Sequence, residues 1–277
     1  MKFISPGGWF SLEVPVGWHE FEDSEEVFLF YNPEEWNGNF RISAFKGRDS
    51  QYAAQCLEEE LRANPTAVRI DVGPWKCAYS AESFTEEGTA YTTHYWVTGR
   101  GNVSLECSFT VAKGSPKAPA EAILQSLELR TEGKRYPREI IPIRVLEIGE
   151  VNAAYEWVSS TVKKQLTKDF TGVAADLEHL QQVMDSGRVQ ANQRAAWEQF
   201  GLAFGAILVN EIEGMEWVTV MDGPSEYPAL QYMGTSLLID PAALVWNAVR
   251  QRRPISLKSE YERIYGEAEA ALKEANR

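Results

Sequence analysis

The chain is short of the residues that build reactive or cross-linked sites, with 3 cysteines and 3 histidines in 277 residues. Cys56, Cys77 and Cys107 are odd in number, far apart and confined to the first half. That pattern argues against a secreted disulfide framework and fits a reducing cytoplasm. His19, His94 and His179 fall on different segments, and no Cys-x-x-Cys or His-Glu-x-x-His spacing occurs, so neither a metal site nor a cofactor is expected. Long apolar runs are missing too. No segment approaches eighteen consecutive apolar residues, and Met1-Lys-Phe-Ile-Ser-Pro-Gly-Gly lacks a signal-peptide core, so no membrane association is expected. Positive charge is in deficit: 27 Lys and Arg stand against 40 Asp and Glu, a net charge of −13. The first 130 residues hold 11 basic and 19 acidic side chains and the rest 16 and 21, so neither half offers the cationic footprint that nucleic acid or an anionic membrane requires.

Catalytic signatures are equally sparse. There is no Gly-x-Ser-x-Gly, no Walker A loop and no Gly-x-Gly-x-x-Gly opening a helix. Cys107 and His94 are conceivable as a nucleophile and base across a hairpin, but Cys107 sits among strand residues and reads better as packed. Glu198, Glu216, Asp222 and Glu226 lie close in sequence, and solvated surface or turn capping accounts for them more simply than acid–base chemistry. No catalytic residue is assigned.

Aromatics are what the chain has in surplus, with 9 Trp, 11 Tyr and 12 Phe. Such side chains fill cores and dominate interfaces. In the first part, Trp9-Phe-Ser-Leu-Glu-Val14 alternates as a half-buried strand, Pro15-Val-Gly-Trp18 turns, and Val27-Phe-Leu-Phe-Tyr31 and Phe40 to Phe45 are further strands. Residues 50–64 read as a helix, capped by Asp49 or Ser50, with Ala53, Ala54, Leu57 and Leu61 on one stripe. Strands follow at 68–72, 75–84, 90–98 and 103–111, then a helix over 118–127 with Pro119 in its first turn. The order of strands, helix, strands and helix predicts an antiparallel α+β domain over 1–130.

Trp9-Phe-Ser-Leu-Glu-Val-Pro-Val-Gly-Trp18 resembles the opening of domains with the Mog1/PsbP-like fold. That resemblance implies a scaffold used by photosystem accessory proteins, a Ran-binding nucleotide-release factor and bacterial Eag-type secretion chaperones, which bind macromolecules and share no active site.

Thr131 to Pro142 carries two prolines, a glycine and mixed charge, and reads as a linker. The second domain, 143–277, reads as helices packed on a small antiparallel sheet. Helices are expected over 150–166, 169–184 (with Val173, Leu177, Leu180 and Met184 inward), 192–210 and 259–275 (with Tyr261, Ile264, Tyr265 and Ala268 inward). Gly201 and Gly205 each cost about 1 kcal/mol in a helix interior, so a facing element is expected to approach closely there, the following sheet being preferred to a ligand pocket. Glu216 to Met221 is apolar on both faces and should be a central strand. Asp240-Pro241 has the form of a cap followed by proline at the first helical position. Trp197…Gly201…Gly205, Glu216-Trp217-Val218 and Asp240-Pro241 together resemble a bacterial two-domain family of unknown function, domains of unknown function 3805 (N-terminal) and 3806 (C-terminal).

The reading that follows is an α+β, two-domain cytoplasmic protein that binds another protein without catalysis, adaptor- or chaperone-like, with secretion chaperone or immunity-like partner as its sharper form. Trp18, Trp36, Trp217, Tyr227, Tyr232 and Glu198 are the candidate binding residues, with Trp9 and Trp75 also to be judged by exposure. The alternative is a hydrolase or transferase with a carboxylate site in the second domain, which requires a cleft near Glu198 and Trp217.

Overall fold

The computed structural model describes residues 1–24, 27–131 and 133–275. The chain divides into two compact units, Met1–Arg135 and Tyr136–Arg277.

The first unit runs β1 (Lys2–Ile4), a 3-10 turn, β2 (Phe10–Glu13), β3 (His19–Ser24), β4 (Val27–Tyr31), β5 (Asn39–Lys46), α1 (Tyr52–Ala63), β6 (Val68–Val72), β7 (Trp75–Glu86), β8 (Thr89–Arg100), β9 (Val103–Ala112), α2 (Ala118–Ser126) and β10 (Glu128–Leu129). Seven strands form an antiparallel sheet in the order β3-β4-β5-β9-β8-β7-β6, and β1-β2-β10 form a smaller one. Alternation sets its two faces. Cys77, Trp96, Leu105, Cys107, Phe109 and Val111 point to one side, where they join Phe10 and Leu12 of the small sheet and Ile123 and Leu124 of α2 in a single core. α1 lies on the other side: a side-chain carbon added at Gly99 would stand 3.0 Å from the methyl of Ala53. The order of elements is the one that the sequence pattern predicts, with β1, β3 and β10 in addition. β3 escapes the sequence pattern because His-Glu-Phe-Glu-Asp-Ser is nearly all polar, as suits an edge strand that must not recruit another chain. Asp49 does not cap α1 from the expected position; its carboxylate accepts from the amide of Gln51 at 2.8 Å, and the helix begins one residue later.

The second unit runs β11 (Glu139–Pro142), α3 (Val145–Leu166), α4 (Asp176–Asp185), α5 (Arg194–Glu211), β12 (Met215–Asp222), β13 (Ser225–Tyr232), β14 (Leu238–Ile239), α6 (Pro241–Arg250) and α7 (Leu257–Ala275). Its sheet is antiparallel in the order β11-β12-β13-β14, which makes β12 a central strand. Residues 139–142, read from sequence as part of a linker, are therefore a strand. Ile140 and Ile141 pair with Val220 and Thr219, and Pro142 is tolerated because β11 is an edge.

α5 is buried along most of its length, with Phe200, Ala203, Phe204, Ile207 and Leu208 in the core. Its glycines do allow close approach, but not only by the sheet. A side-chain carbon on Gly201 would fall 2.2 Å from the carbonyl oxygen of Pro241 at the start of α6, and one on Gly205 would fall 2.5 Å from the Trp217 ring. Asp240 caps α6 as expected, accepting from the Ala243 amide at 2.7 Å. α4 starts at Asp176 rather than 169. Gly172 has left-handed geometry (φ 75), and the Asp176 carboxylate takes the Thr171 amide at 2.7 Å and the Val173 amide at 3.3 Å, folding that stretch into a loop. Val173 is consequently exposed, and so is Tyr265 on α7. Among the described residues no helix is long and apolar enough to cross a membrane.

Candidate functional site

Two regions hold functional groups in a defined arrangement, one in each unit. In the first unit it is the part of the large sheet's α1-side face that α1 leaves open. The hairpin between β7 and β8 fixes the register, so Phe84 opposes Tyr91, Glu82 opposes Thr93 and Ser80 opposes Tyr95. Tyr91 in turn opposes Ala112, Thr93 opposes Thr110, Tyr95 opposes Ser108 and Val97 opposes Glu106. Residues two apart share a face, so these pairs stack as successive rows. At one end the rings of Phe84 and Tyr91 stack at 5.6 Å, and Trp36, from the β4–β5 loop, meets Tyr91 edge-on at 5.9 Å. Trp36 is 45% and Phe84 40% exposed, large values for rings that touch one another. In the middle the Thr93 and Thr110 hydroxyls bond each other at 2.9 Å. At the other end an open groove of about 580 Å³ runs beside the end of α1, lined by Glu60, Asn64, Ser80, Glu82, Tyr95 and Glu106 among others. Tyr95 is 41% exposed there.

In the second unit the corresponding feature is closed. Arg144, just before α3, is 1% exposed. Its guanidinium donates to both carboxylate oxygens of Glu147, with Nε to Oε2 at 2.9 Å, and to Glu226 Oε2 at 2.7 Å. Thr219 on β12 donates its hydroxyl to Glu147 at 3.0 Å and accepts the Arg144 amide at 3.2 Å. Burial works against the Arg144 charge, but Glu147 and Glu226 outweigh it and hold the group more firmly protonated than usual. Partial desolvation, and then repulsion from Glu147, push the Glu150 carboxyl up from its ordinary value. This is a satisfied ion cluster that ties the start of α3 to β12 and β13. Beside it, Ile143, Ile148, Val151, Val209, Met215 and Trp217 line a mainly apolar groove of about 450 Å³, with Asn152 and Glu216 as its polar members.

The sequence candidates fall into different environments. Trp18 is buried and stacks on Phe109, and Tyr232 and Trp75 are buried as well, so these three serve the core. A ring directly after Pro15-Val-Gly17 could turn either way, and the core claims Trp18. Trp36 is exposed in the aromatic cluster, and Trp9 is exposed. Trp217 and Tyr227 are half-buried, Trp217 lining the second groove. Glu198 pairs with Arg194 one turn away at 2.7 Å and does not line the Trp217 groove. The four carboxylates noted in the sequence do not converge. Glu198 is on α5, Glu226 belongs to the Arg144 cluster, and Glu216 and Asp222 stand near opposite ends of β12. Burial pushes the Cys107 thiol well above its ordinary value and pushes His94 down, and His94 Nδ1 is 2.8 Å from the Tyr79 hydroxyl. Cys107 is therefore a protonated, packed thiol. Among the described residues no group of three His, Cys, Asp or Glu is placed to hold a metal ion.

Phe84, Tyr91, Tyr95 and the Arg144 cluster were not singled out from the sequence. The two-residue turn at Glu87-Gly88 was a sufficient signal for the first three, since it dictates which residues oppose each other. For Arg144 the signal was an Arg and a Glu three apart within an otherwise apolar run.

These features define an α+β protein of two units, with an open aromatic and acidic strip on one sheet and a sealed ion cluster on the other. The chain belongs to the family described as Domain of unknown function (DUF3805), whose model matches residues 1–152, and a second model, Domain of unknown function (DUF3806), matches residues 176–261. A crystal structure from Bacteroides thetaiotaomicron VPI-5482 is 50% identical, covers 94% of this chain and 96% of its own, and has a TM-score of 0.90. The solution structure of cyanobacterial PsbP (CyanoP) from Synechocystis sp. PCC 6803 is 14% identical, covers 47% of this chain and 92% of its own, and has a TM-score of 0.27. LpqN, involved in cell envelope biogenesis of Mycobacterium tuberculosis, gives 15%, 47%, 91% and 0.31 for the same measures, and at such scores neither likeness carries weight. No curated protein matches the chain.

Proposed function

We propose that this protein is a non-catalytic, protein-binding adaptor or chaperone-like protein of the bacterial cytoplasm. One observation carries the reading: Trp36, Phe84 and Tyr91 contact one another on an open sheet face while two of the three stay more than a third exposed. Exposed aromatic clusters of this kind mark interfaces, because a partner that covers them removes apolar area from water and keeps the ring contacts. Three free cysteines are in keeping with a reducing compartment. The carboxylate-site alternative is less favoured, since Glu198 is tied to Arg194 and lies outside the groove at Trp217, which has Glu216 as its one lining carboxylate among the described residues.

The test is capture of partners from the native host by the full chain and by the double variant Trp36→Ala/Phe84→Ala. A discrete partner retained by the wild type and lost by the variant, with the two melting alike, supports the reading. Partners retained equally by both overturn it for this face.

A further inference from the structure

Charge on the open strip narrows the partner. Glu106 on β9 and Glu82 on β7 stand one row above and one row below Tyr95, on its two sides. Both are exposed, and among the described residues no Lys, Arg or His forms an ion pair with either. The Glu60 carboxylate, at the groove's α1 wall, accepts from Asn64 in the same wall at 2.9 Å and forms no ion pair among the described residues. The groove thus presents an exposed tyrosine face between carboxylates that form no ion pair among the described residues, with Arg41 two strands away in the same row as Tyr95. A tyrosine face attracts an ammonium or guanidinium group, and adjacent carboxylates add to that attraction. The aromatic cluster begins two rows beyond Tyr95, past the Thr93–Thr110 hydroxyl pair.

We propose that this strip binds an extended segment of a partner protein that carries Lys or Arg at one end and apolar side chains at the other. The cationic side chain sits over Tyr95 between Glu82 and Glu106, and the apolar ones cover Trp36, Phe84 and Tyr91. From the Tyr95 row to the Phe84–Tyr91 row is two pairs of residues along β8, about 13 Å at strand rise, so the two ends of the segment are separated by about four extended residues. This rests on the protein-binding reading and adds the chemistry of the partner. A carboxylate-flanked groove also discriminates, because an acidic segment meets repulsion along the same path.

The experiment uses three fluorescein-labelled peptides of roughly eight residues: two lysines at one end, serines between and two leucines at the other; the same with glutamates for lysines; and the same with serines for lysines. Fluorescence anisotropy is read against the full chain and three double variants: Glu82→Gln/Glu106→Gln, Trp36→Ala/Phe84→Ala, and Glu262→Gln/Glu269→Gln on α7 as a charge-matched control. The lysine peptide is expected to bind tightest, to weaken about five- to tenfold in the Glu82/Glu106 variant, and to weaken further with salt. The α7 control should change it by less than about twofold, since its sites are exposed and elsewhere. Equal losses in the Glu82/Glu106 variant and the α7 control, binding of the glutamate peptide as tight as the lysine peptide, or no binding of the lysine peptide overturns the proposal. If the serine peptide binds as well as the lysine one and Trp36→Ala/Phe84→Ala abolishes both, the cation preference falls and the protein-binding reading stands. Binding unaffected by Trp36→Ala/Phe84→Ala removes both.

Discussion

The two units treat ionised glutamates in opposite ways. Glu147, almost without exposure, meets Arg144 and Thr219, and every charge in that cluster has a counter-charge from the same chain. Glu82 and Glu106 lie on the surface beside an exposed tyrosine and have no such counterpart among the described residues. The cluster spends its electrostatics on holding α3 against the sheet and presents nothing to another molecule. The strip does the reverse: its groups contribute little to holding the fold and are free to meet a ligand. Perturbed titration alone would have pointed to the wrong place, because burial and ion pairing shift pKa values in structural clusters as readily as in sites.

The largest test of this contrast is Arg144→Met. Removing one member of a buried pair strands the other, at a cost of about 4 kcal/mol. Urea unfolding should show a loss of that size, because the buried Glu147 carboxylate is left without its partner. Arg144→Met/Glu147→Leu should recover much of the loss. A cost near zero for Arg144→Met would show that the cluster is not what pins α3, and would blur the distinction between the two regions.

Gly201→Ala comes next. Alanine gains about 1 kcal/mol of helix propensity, but its methyl meets the Pro241 carbonyl oxygen at a distance no backbone tolerates. Overpacking against main chain should leave a net cost of about 3 kcal/mol, seen as a lower unfolding midpoint and faster amide exchange in α6. A stable Gly201→Ala protein would mean that α6 sits away from α5.

Asp176→Ala is smaller, about 2 kcal/mol at neutral pH, for the loss of charge-assisted bonds to the Thr171 and Val173 amides. Burial raises the Asp176 pKa, but the Thr171 amide, His179 and the Val173 amide outweigh it, and the net shift is downward from 3.8. A carboxyl lowered on folding contributes stability above its unfolded pKa and loses it as pH falls through the folded value. The wild type should therefore converge on Asp176→Ala below pH 3.8 and diverge above it. A gap that is the same at pH 3 and pH 7 would place the effect in packing rather than charge.

How much of this could be read beforehand depended on whether local pattern or distant partners decided the outcome. β4 appears at its sequence limits, Val27 to Tyr31, because a continuous apolar run leaves little choice. The Asp240–Pro241 cap was equally legible, since both residues act on the adjacent turn. The linker reading failed at Glu139–Pro142 because two prolines and mixed charge are as compatible with an edge strand as with a tether. Only the pairing with Val218–Met221, about eighty residues on, distinguishes them. Trp18 and Trp36 look alike as exposed-or-buried candidates until Phe109 and Tyr91, far along the chain, claim one for the core and the other for the surface.

The smallest stability effect belongs to the region assigned to binding. Trp36→Ala/Phe84→Ala removes two large rings, and in a core each would cost about 3 to 5 kcal/mol. Here the rings already face water over two-fifths or more of their area and lean mainly on Tyr91. The two ring contacts with Tyr91 contribute about 0.5 to 1.5 kcal/mol each beyond the area they cover. The melting temperature of the double variant should therefore fall less, per ring removed, than that of Trp96→Ala, fully buried on the opposite face of the same strand β8 and expected to be severely destabilised. If Trp36→Ala/Phe84→Ala proves as damaging as Trp96→Ala, the aromatic cluster is a second core and not a surface held open for a partner. If it is mild and peptide binding is nonetheless lost, two rings that contribute little to the fold have been retained in an exposed position where only a partner gains from them.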